Sequence, residues 1–585
     1  MFKLIKENTK LRLITDLILI LYWSTFLTRT DSYYTPYLLV VLAGLFCFVS
    51  NRISRENTFT TKQSIITRLY ATVLAITVVL ANYRLFLGSA DGGFACILKL
   101  FSGILVFYGG WVLFGEILFW IYRKVVLKIK SYTYNRADKW ILLIAWLILT
   151  TVNTIILIGA KYPGLLTTDS ISQISQILTH SYSNHHPYYH TQIIRLFFDI
   201  GYKLFGNINA AIATYSVFSI ACMSFCFSYC VYTIWQITRN KTLALFLYLW
   251  YMTMPYHILY SFSMWKDVLF GAAVTFFAVG CYRVVQHVGR NNIFNLFVMI
   301  AGAMGMCLLR SNGWIAFVLS TICFILLYKK VNIKLSLIFL GIIVVSFILK
   351  KPVLAVLSVT QPDTIEALSV PAQQIARVIA DGNEITDEQK ELLNQVVDVE
   401  KIPETYTSWV SDPIKQLVRK TDKQEYIRTH MSAYLKLYVQ LGLKYPHKYI
   451  EAWIDQTRGY WNAGYDYWKW TNGVEENTLG IEHTTKSGFV DRLFTYYMYT
   501  WNELPILEIF MSIGFCVWLV LISTYVAIMR KNQIAVFVSV PFLMILFSLL
   551  IATPVWAEFR YAYALFCGIP FIIVVSSDDK QKSET

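Results

Sequence analysis

The side chains best suited to chemistry lie in one stretch, Lys161 to Thr191, which reads KYPGLLTTDSISQISQILTHSYSNHHPYYHT. It holds one carboxylate, Asp169, and four imidazoles, at His180, His185, His186 and His190. A lone carboxylate beside an apolar run can take a proton from an attacking hydroxyl, or can hold a divalent cation. It can equally open a helix, because Thr168-Asp169-Ser170 has the residue types that cap N-termini. His186 and His190 are four apart, which would put two imidazoles on one helical face as metal ligands or phosphate contacts. Pro187 between them opposes a continuous helix unless the helix starts there. The chain has no HExxH, P-loop, GxGxxG or CxxC, so zinc proteolysis and Walker-type nucleotide binding find no support.

Other candidates stand at the ends of apolar runs. They are Lys266 and Asp267 in SMWKDVLFG, Arg310 and Asn312 in LLRSNGW, and Glu558, Arg560 and Tyr561 in AEFRYAYALF. Ionisable groups there are expensive and so become functional candidates. The arginine fork suits a phosphate or pyrophosphate. Each also has a plain structural reading: a Trp-anchored ion pair, a snorkelling arginine at a helix C-terminus, a surface salt bridge.

The elements that carry these residues must cross a membrane. Of 585 residues, 56% are hydrophobic and only 15% charged, against about 25% charged in a soluble protein. Mean hydropathy is +0.50. Apolar runs of membrane-crossing length recur about fourteen times, among them 11–29, 33–50, 242–261, 264–282 and 504–529. The first is read as a retained helix, since no small-residue cleavage site follows it. The formal charge of +15 sits in short connections such as NRISRENTFTTKQ, RKVVLKIKSYTYNRADK and MRKNQ, which argues for topology and against nucleic-acid binding. The positive-inside rule puts the N-terminus in the cytoplasm, and puts every candidate residue on the outer face.

The expected organisation is all-α and polytopic. Residues 1–138 form about four N-terminal helices, and 139–350 a membrane core with its first large outer loop at 161–207. Residues 351–503 form a mostly helical extracellular domain, and 504–585 the last helices and a short tail. In the loop, Ile171, Ile174, Ile177 and Leu178, and then Ile193 to Leu204, have the pattern of interfacial amphipathic helices. In the domain, PDTIEALSVPAQQIARVIADG reads as a helix ended by Asp381-Gly382, and Thr386-x-x-Gln389 as a capping box. The aromatic stretch Tyr460 to Trp470 suits sugar stacking or the headgroup layer.

The order PGLLTTDS, HHPYYHT, SMWKDVLFG, LLRSNGW, SVPAQQIARVI, SDPIK, AEFRYAYALF resembles the polytopic membrane proteins of Gram-positive bacteria grouped with GT-C glycosyltransferases. The resemblance runs over about residues 139 to 576 and leaves out the first four helices. It implies a GT-C fold with a polyprenyl-phosphate-linked sugar as donor and an envelope glycan, teichoic acid or lipid as acceptor, in the bacterial plasma membrane. Asp169 matches the loop acid of that fold by position. Arg310, Arg560 and Lys266 are candidates for the donor phosphate, and direct attack implies inversion. The loop lacks DxD or ExD, so metal dependence stays open, a divalent cation being one possibility. The alternatives are a flippase or transporter of lipid-linked saccharides, expected to bury polar residues near the midplane, and a non-catalytic assembly protein.

Overall fold

The computed structural model describes residues 9–27, 41–47, 49–50, 59–87, 93–127, 129, 138–289, 292–327, 333–464, 469–504 and 509–578. Among them the architecture is all-helical, with β-structure limited to isolated bridges. The helices that build the membrane part are α1 (Thr9–Leu27), α2 (Thr61–Ala81), α3 (Gly93–Lys124) and α4 (Asp138–Ala160). Two loop helices follow, α5 (Thr168–Thr179) and α6 (Tyr188–Phe205), then α7 (Ile208–Thr238), α8 (Lys266–Val285), α9 (Asn292–Leu308), α10 (Ser311–Leu327) and α11 (Ile333–Ile348). The polar region contributes α12 (Ser369–Ala380), α13 (Met431–Lys444), α14 (Pro446–Trp461) and α15 (Gly488–Glu503). The chain ends with α16 (Ile513–Met529), α17 (Gln533–Ala552) and α18 (Phe559–Ser576).

Among the described residues, eight helices are long and apolar enough to cross a membrane, and three more apolar helices are shorter. The expected fourteen spans are therefore not reached. Helix α1 forms as expected, but Lys10, Arg12 and Asp16 lie within its 19 residues and it is not among the eight. Half of the run 33–50 falls outside the described residues, and the other half, 41–47 and 49–50, is helical. The run 242–261 divides into Lys241–Thr253 and Pro255–Ser261. Met254 is extended (φ −74°, ψ 122°), as the residue before a proline prefers, and Pro255 takes the first helical position.

Burial ranks the spans. In α8, 89% of the apolar window is buried inside the protein, and in the α4 window only 17%. Helix α8 is thus central and α4 peripheral, facing what surrounds the bundle. Close approach at α8 depends on small residues, as in membrane bundles generally. A Cβ on Gly302 of α9 would stand 2.4 Å from the Phe277 backbone nitrogen of α8, and backbone does not give way. Gly302→Ala is expected to destabilise by about 1–3 kcal/mol. Gly341→Ala, with nothing within 4 Å of its Cβ, is the control. Thermal unfolding in detergent that ranks the two variants equally would contradict the packing.

At the far end of α8 from the loops, Arg283 is buried yet fully engaged. Its Nε donates to Asn295 (2.8 Å) and its Nη1 donates to Thr233 (2.9 Å) and Gln236 (2.7 Å). A buried charge persists only when so satisfied.

The polar region has a hydrophobic core of its own, including Val378, Val396, Ile414, Leu437 and Leu441. Helix α12 ends before Asp381, with Gly382 at φ +71°. The Thr386–Gln389 capping box forms, each side chain meeting the other residue's backbone N–H. After α14 the chain returns along the 161–167 segment, and α15 packs on α4, Val490 lying against Gly159.

Candidate functional site

The site is assembled by one extended segment clamped from both sides. Gly164 has φ +143° and a Cβ there would lie 2.4 Å from Ser216 Oγ, so glycine is required. Leu165 N–H then donates to Phe262 O (3.1 Å), and Leu165 O accepts from Met264 N–H (3.0 Å). On the other edge, Leu166 N–H donates to Gly473 O and Leu166 O accepts from Glu475 N–H, both at 3.0 Å. Three distant parts of the chain meet here.

Helix α5 starts from this clamp. Its N-cap is Thr167, whose Oγ1 accepts from Trp265 Nε1 at 2.9 Å. The Thr168 N–H donates to Glu475 Oε2 at 2.7 Å, an acid placed where the helix dipole favours it. Ser170 Oγ donates to the Met264 carbonyl at 3.0 Å. Asp169 is therefore not the cap that its sequence neighbours suggest. Its side chain reaches across instead, Oδ2 lying 2.7 Å from Arg560 Nη1, 391 residues away.

Arg560 is shared. Its Nε lies 3.2 Å from Glu558 Oε1, and its guanidinium stands 5.6 Å from the centre of the Trp265 ring. A second buried pair sits behind: Arg310 Nη1 lies 2.8 Å from Asp267 Oδ1, though not in hydrogen-bond geometry. Arg310 also donates to the Tyr561 carbonyl (3.2 Å) and stacks 4.4 Å above the Tyr561 ring. Asp169, His186, Lys266, Asp267 and Arg560 line a narrow cleft that Trp265 walls on one side. Among the described residues no carboxylate lies within ion-pair distance of Lys266, although it lines the same pocket.

Electrostatics set the protonation states. Burial opposes the Asp169 charge, but Arg560, Lys266 and His186, in that order, outweigh it and hold the carboxyl well below its ordinary range. Burial, and then the Lys266 ammonium, lower His186 to about 3, so this imidazole is neutral at physiological pH; its Nδ1 is buried without a hydrogen-bond partner. Glu558 behaves oppositely. Burial raises its carboxyl to about 7, with Arg560 opposing and Asp267 and Asp169 adding to the rise.

The structure separates the other expected residues from this cluster. His185 is exposed and meets His186 edge-on at 4.9 Å. His190 is fully buried inside α6, with Nδ1 on Gln173 (3.0 Å) and Nε2 on the Tyr215 hydroxyl (2.9 Å). The helix starts after Pro187, so His186 precedes it and the two imidazoles do not form a pair on one face. Among the described residues no three His, Cys, Asp or Glu side chains are grouped to hold a metal ion. Asn312 donates to Ser548 Oγ at 2.8 Å and serves the α10–α17 contact. Tyr460 and Trp461 are core residues, bonded to Thr553 and Thr457, while 465–468 lie outside the described residues.

Three contributors escaped the sequence: Trp265, Gln173 and Glu475. Gln173 carried a signal, standing one helical turn after Asp169 on the same face. Trp265 directly precedes Lys266-Asp267 but reads as a membrane-interface anchor. Glu475 had no signal, because its role depends on a contact 307 residues distant.

No curated protein and no solved structure matches the chain. One family profile matches residues 177–585, which hold every candidate residue named from the sequence except Asp169. On that match over well above half its length, the chain belongs to the family of unknown function DUF6020.

Proposed function

We propose that the protein is a membrane glycosyltransferase of GT-C type, moving a sugar from a polyprenyl-phosphate donor to an envelope glycan, teichoic acid or lipid at the outer face of a bacterial plasma membrane. The observation that carries this reading is the pocket in which an ionised carboxylate, Asp169, an unpaired ammonium, Lys266, and a shared guanidinium, Arg560, come together. That set suits a reaction in which a hydroxyl loses a proton while a phosphate departs with negative charge.

The resting carboxylate is a poor base, because Arg560 holds it ionised. A donor phosphate beside Lys266 competes for the Arg560 fork, which matches phosphate oxygens in two-pronged geometry. Freed of Arg560, Asp169 regains basicity, since an opposite charge nearby was what depressed it. It accepts the acceptor's hydroxyl proton as that oxygen bonds to the anomeric carbon. The bond from that carbon to the phosphate oxygen breaks, its electron pair leaves with the polyprenyl phosphate, and Lys266 and Arg560 offset the new charge. One displacement from the opposite face inverts the sugar.

Glu558 makes the site pH-sensitive. Its carboxyl is raised to about 7, so it is neutral below that value and adds a negative charge above it. Donor affinity is expected to weaken between pH of about 6 and about 8 as this charge appears beside the phosphate. Glu558→Gln flattens the dependence. A profile of donor KM against pH that keeps its slope in Glu558→Gln would assign the titration to another group.

The reading itself is tested by analysing envelope glycans and polyprenyl-phosphate sugars in a deletion strain. The expected result is loss of one decoration and accumulation of one lipid-linked sugar, both reversed by the wild-type gene. A defect without any accumulating donor, reproduced by removing 352–501 alone, would favour the assembly role instead.

A further inference from the structure

The domain formed by the polar region contains an apolar cavity of about 190 Å³, comparable with the engineered cavities of about 150 Å³ that take up a small hydrocarbon. It lies between α12, the helices near Ile414 and Ile427, and α13, with Ile375, Leu393, Val418, Met431 and Leu435 in its wall. Protein cores are packed like organic crystals, and voids beyond the size of a water are few. This one is far larger than a packing fault.

Its chemistry is one-sided. The only polar side chains in the lining are the phenols of Tyr434 and Tyr438, and both already donate, to the Leu392 carbonyl (3.0 Å) and to Gln374 Oε1 (2.6 Å). A polar ligand would lose its hydrogen bonds to water on entry and recover few. A hydrocarbon chain loses nothing, and apolar cavities take apolar guests.

The mouth shows where such a chain comes from. Leu435 lines the cavity and is also 55% exposed. Val439 and Leu443 continue from it at four-residue spacing, 51% and 79% exposed, so one face of α13 is an apolar stripe. Exposed Lys436 and Lys444 flank it, the arrangement of a helix lying in a lipid interface. The domain is inserted between α11 and α16, two apolar helices, which tethers it to the bilayer at both ends.

We infer that this domain binds one hydrocarbon chain of a membrane lipid in the α12–α13 cavity, with the Leu435–Val439–Leu443 stripe resting in the lipid interface. The site is distinct from the Asp169 pocket and does not rest on the transfer reading.

The test uses the full-length protein in nanodiscs. One preparation contains a phospholipid with a diazirine near the end of its acyl chain, the other a polyprenyl phosphate with a diazirine in its chain. After photolysis, peptides are mapped by mass spectrometry. Adducts on α12 and α13 are expected from at least one probe, and which probe labels distinguishes an acyl from a prenyl chain. Ala372→Trp, which fills the lining, should abolish these adducts while those on the peripheral α4 persist. Should that variant not fold, Leu435→Asp at the mouth serves the same purpose. Wild-type adducts confined to the membrane-crossing helices, or labelling unchanged in a folded variant, would overturn the inference. Labelling needs no turnover, so its failure would leave the transfer reading untouched.

Discussion

On the proposed transfer, Asp169→Asn is expected to lower sugar transfer by about 10²–10⁴-fold, the range typical when a positioned acid–base group is removed. The amide keeps the size of the carboxylate and can still accept from Arg560, but it cannot take the acceptor's proton. Folding should be nearly unaffected. Asp169 is about a third exposed at its side chain (34%), and Arg560 retains Glu558 as a partner, so the lost pair is worth about 1 kcal/mol at most. The measurement compares wild type and Asp169→Asn, both shown to be folded in membranes, for envelope decoration and accumulated lipid-linked sugar. Loss of decoration with accumulation of donor is the expected outcome. Normal decoration in Asp169→Asn would reduce this residue to an acid in the first turn of α5, and the transporter or assembly readings would move ahead.

Asp455→Ala produces the largest expected loss of stability. This carboxylate of α14 has no exposed side-chain surface, and three arginines surround it: Arg84, Arg377 (3.4 Å) and Arg458 (3.6 Å). The Tyr83 hydroxyl donates to it at 3.3 Å. Burial raises its pKa, with Arg84 the strongest opposing influence and Arg458 and Arg377 next. Arg84 belongs to the short helix Tyr83–Leu87 that follows α2, so the cluster links the N-terminal helices to the polar domain. Removing one partner of a buried ion cluster leaves the rest uncompensated, which costs about 3–5 kcal/mol. The lower end applies, because the Arg84 side chain is half exposed (53%) and can rehydrate. Arg377 also keeps Glu451 and Asp381. Asp455→Asn, which preserves shape and one acceptor, should lose less. Thermal unfolding in detergent decides the matter: the order wild type, Asn, Ala is expected, and an unchanged midpoint in Asp455→Ala would show that the arginines are solvated without it.

The sequence by itself determined what local pattern and length control. Long apolar runs specify membrane-crossing helices because the hydrocarbon core admits no unpaired backbone, and α2 to α4, α7, α8, α17 and α18 lie where those runs predict. Amphipathic periodicity found α5 and α6, and cap chemistry found the C-terminal end of α12 and the Thr386–Gln389 box, since each is settled within a few residues. The pattern begun at Pro362 instead opens on a separate 3-10 turn, Thr364–Leu368. The same local rule failed at 242–261, where composition shows one apolar run and Pro255 divides it.

Tertiary structure alone decided which side chains meet. Asp169 looks like a helix cap in sequence, and its partner Arg560 is 391 residues away. His190 looks like a ligand beside His186, and packing turns it inward to Gln173 and Tyr215. Asn312 stands beside Arg310 in the chain, yet it faces α17 while Arg310 faces Asp267 and Tyr561. The raised Glu558 carboxyl and the α12–α13 cavity likewise depend on what packs around them. The physical reason is common to all. Charge pairing, burial and void space are properties of helix surfaces brought together, and a helix apolar on every side carries no record of which neighbour each face will meet.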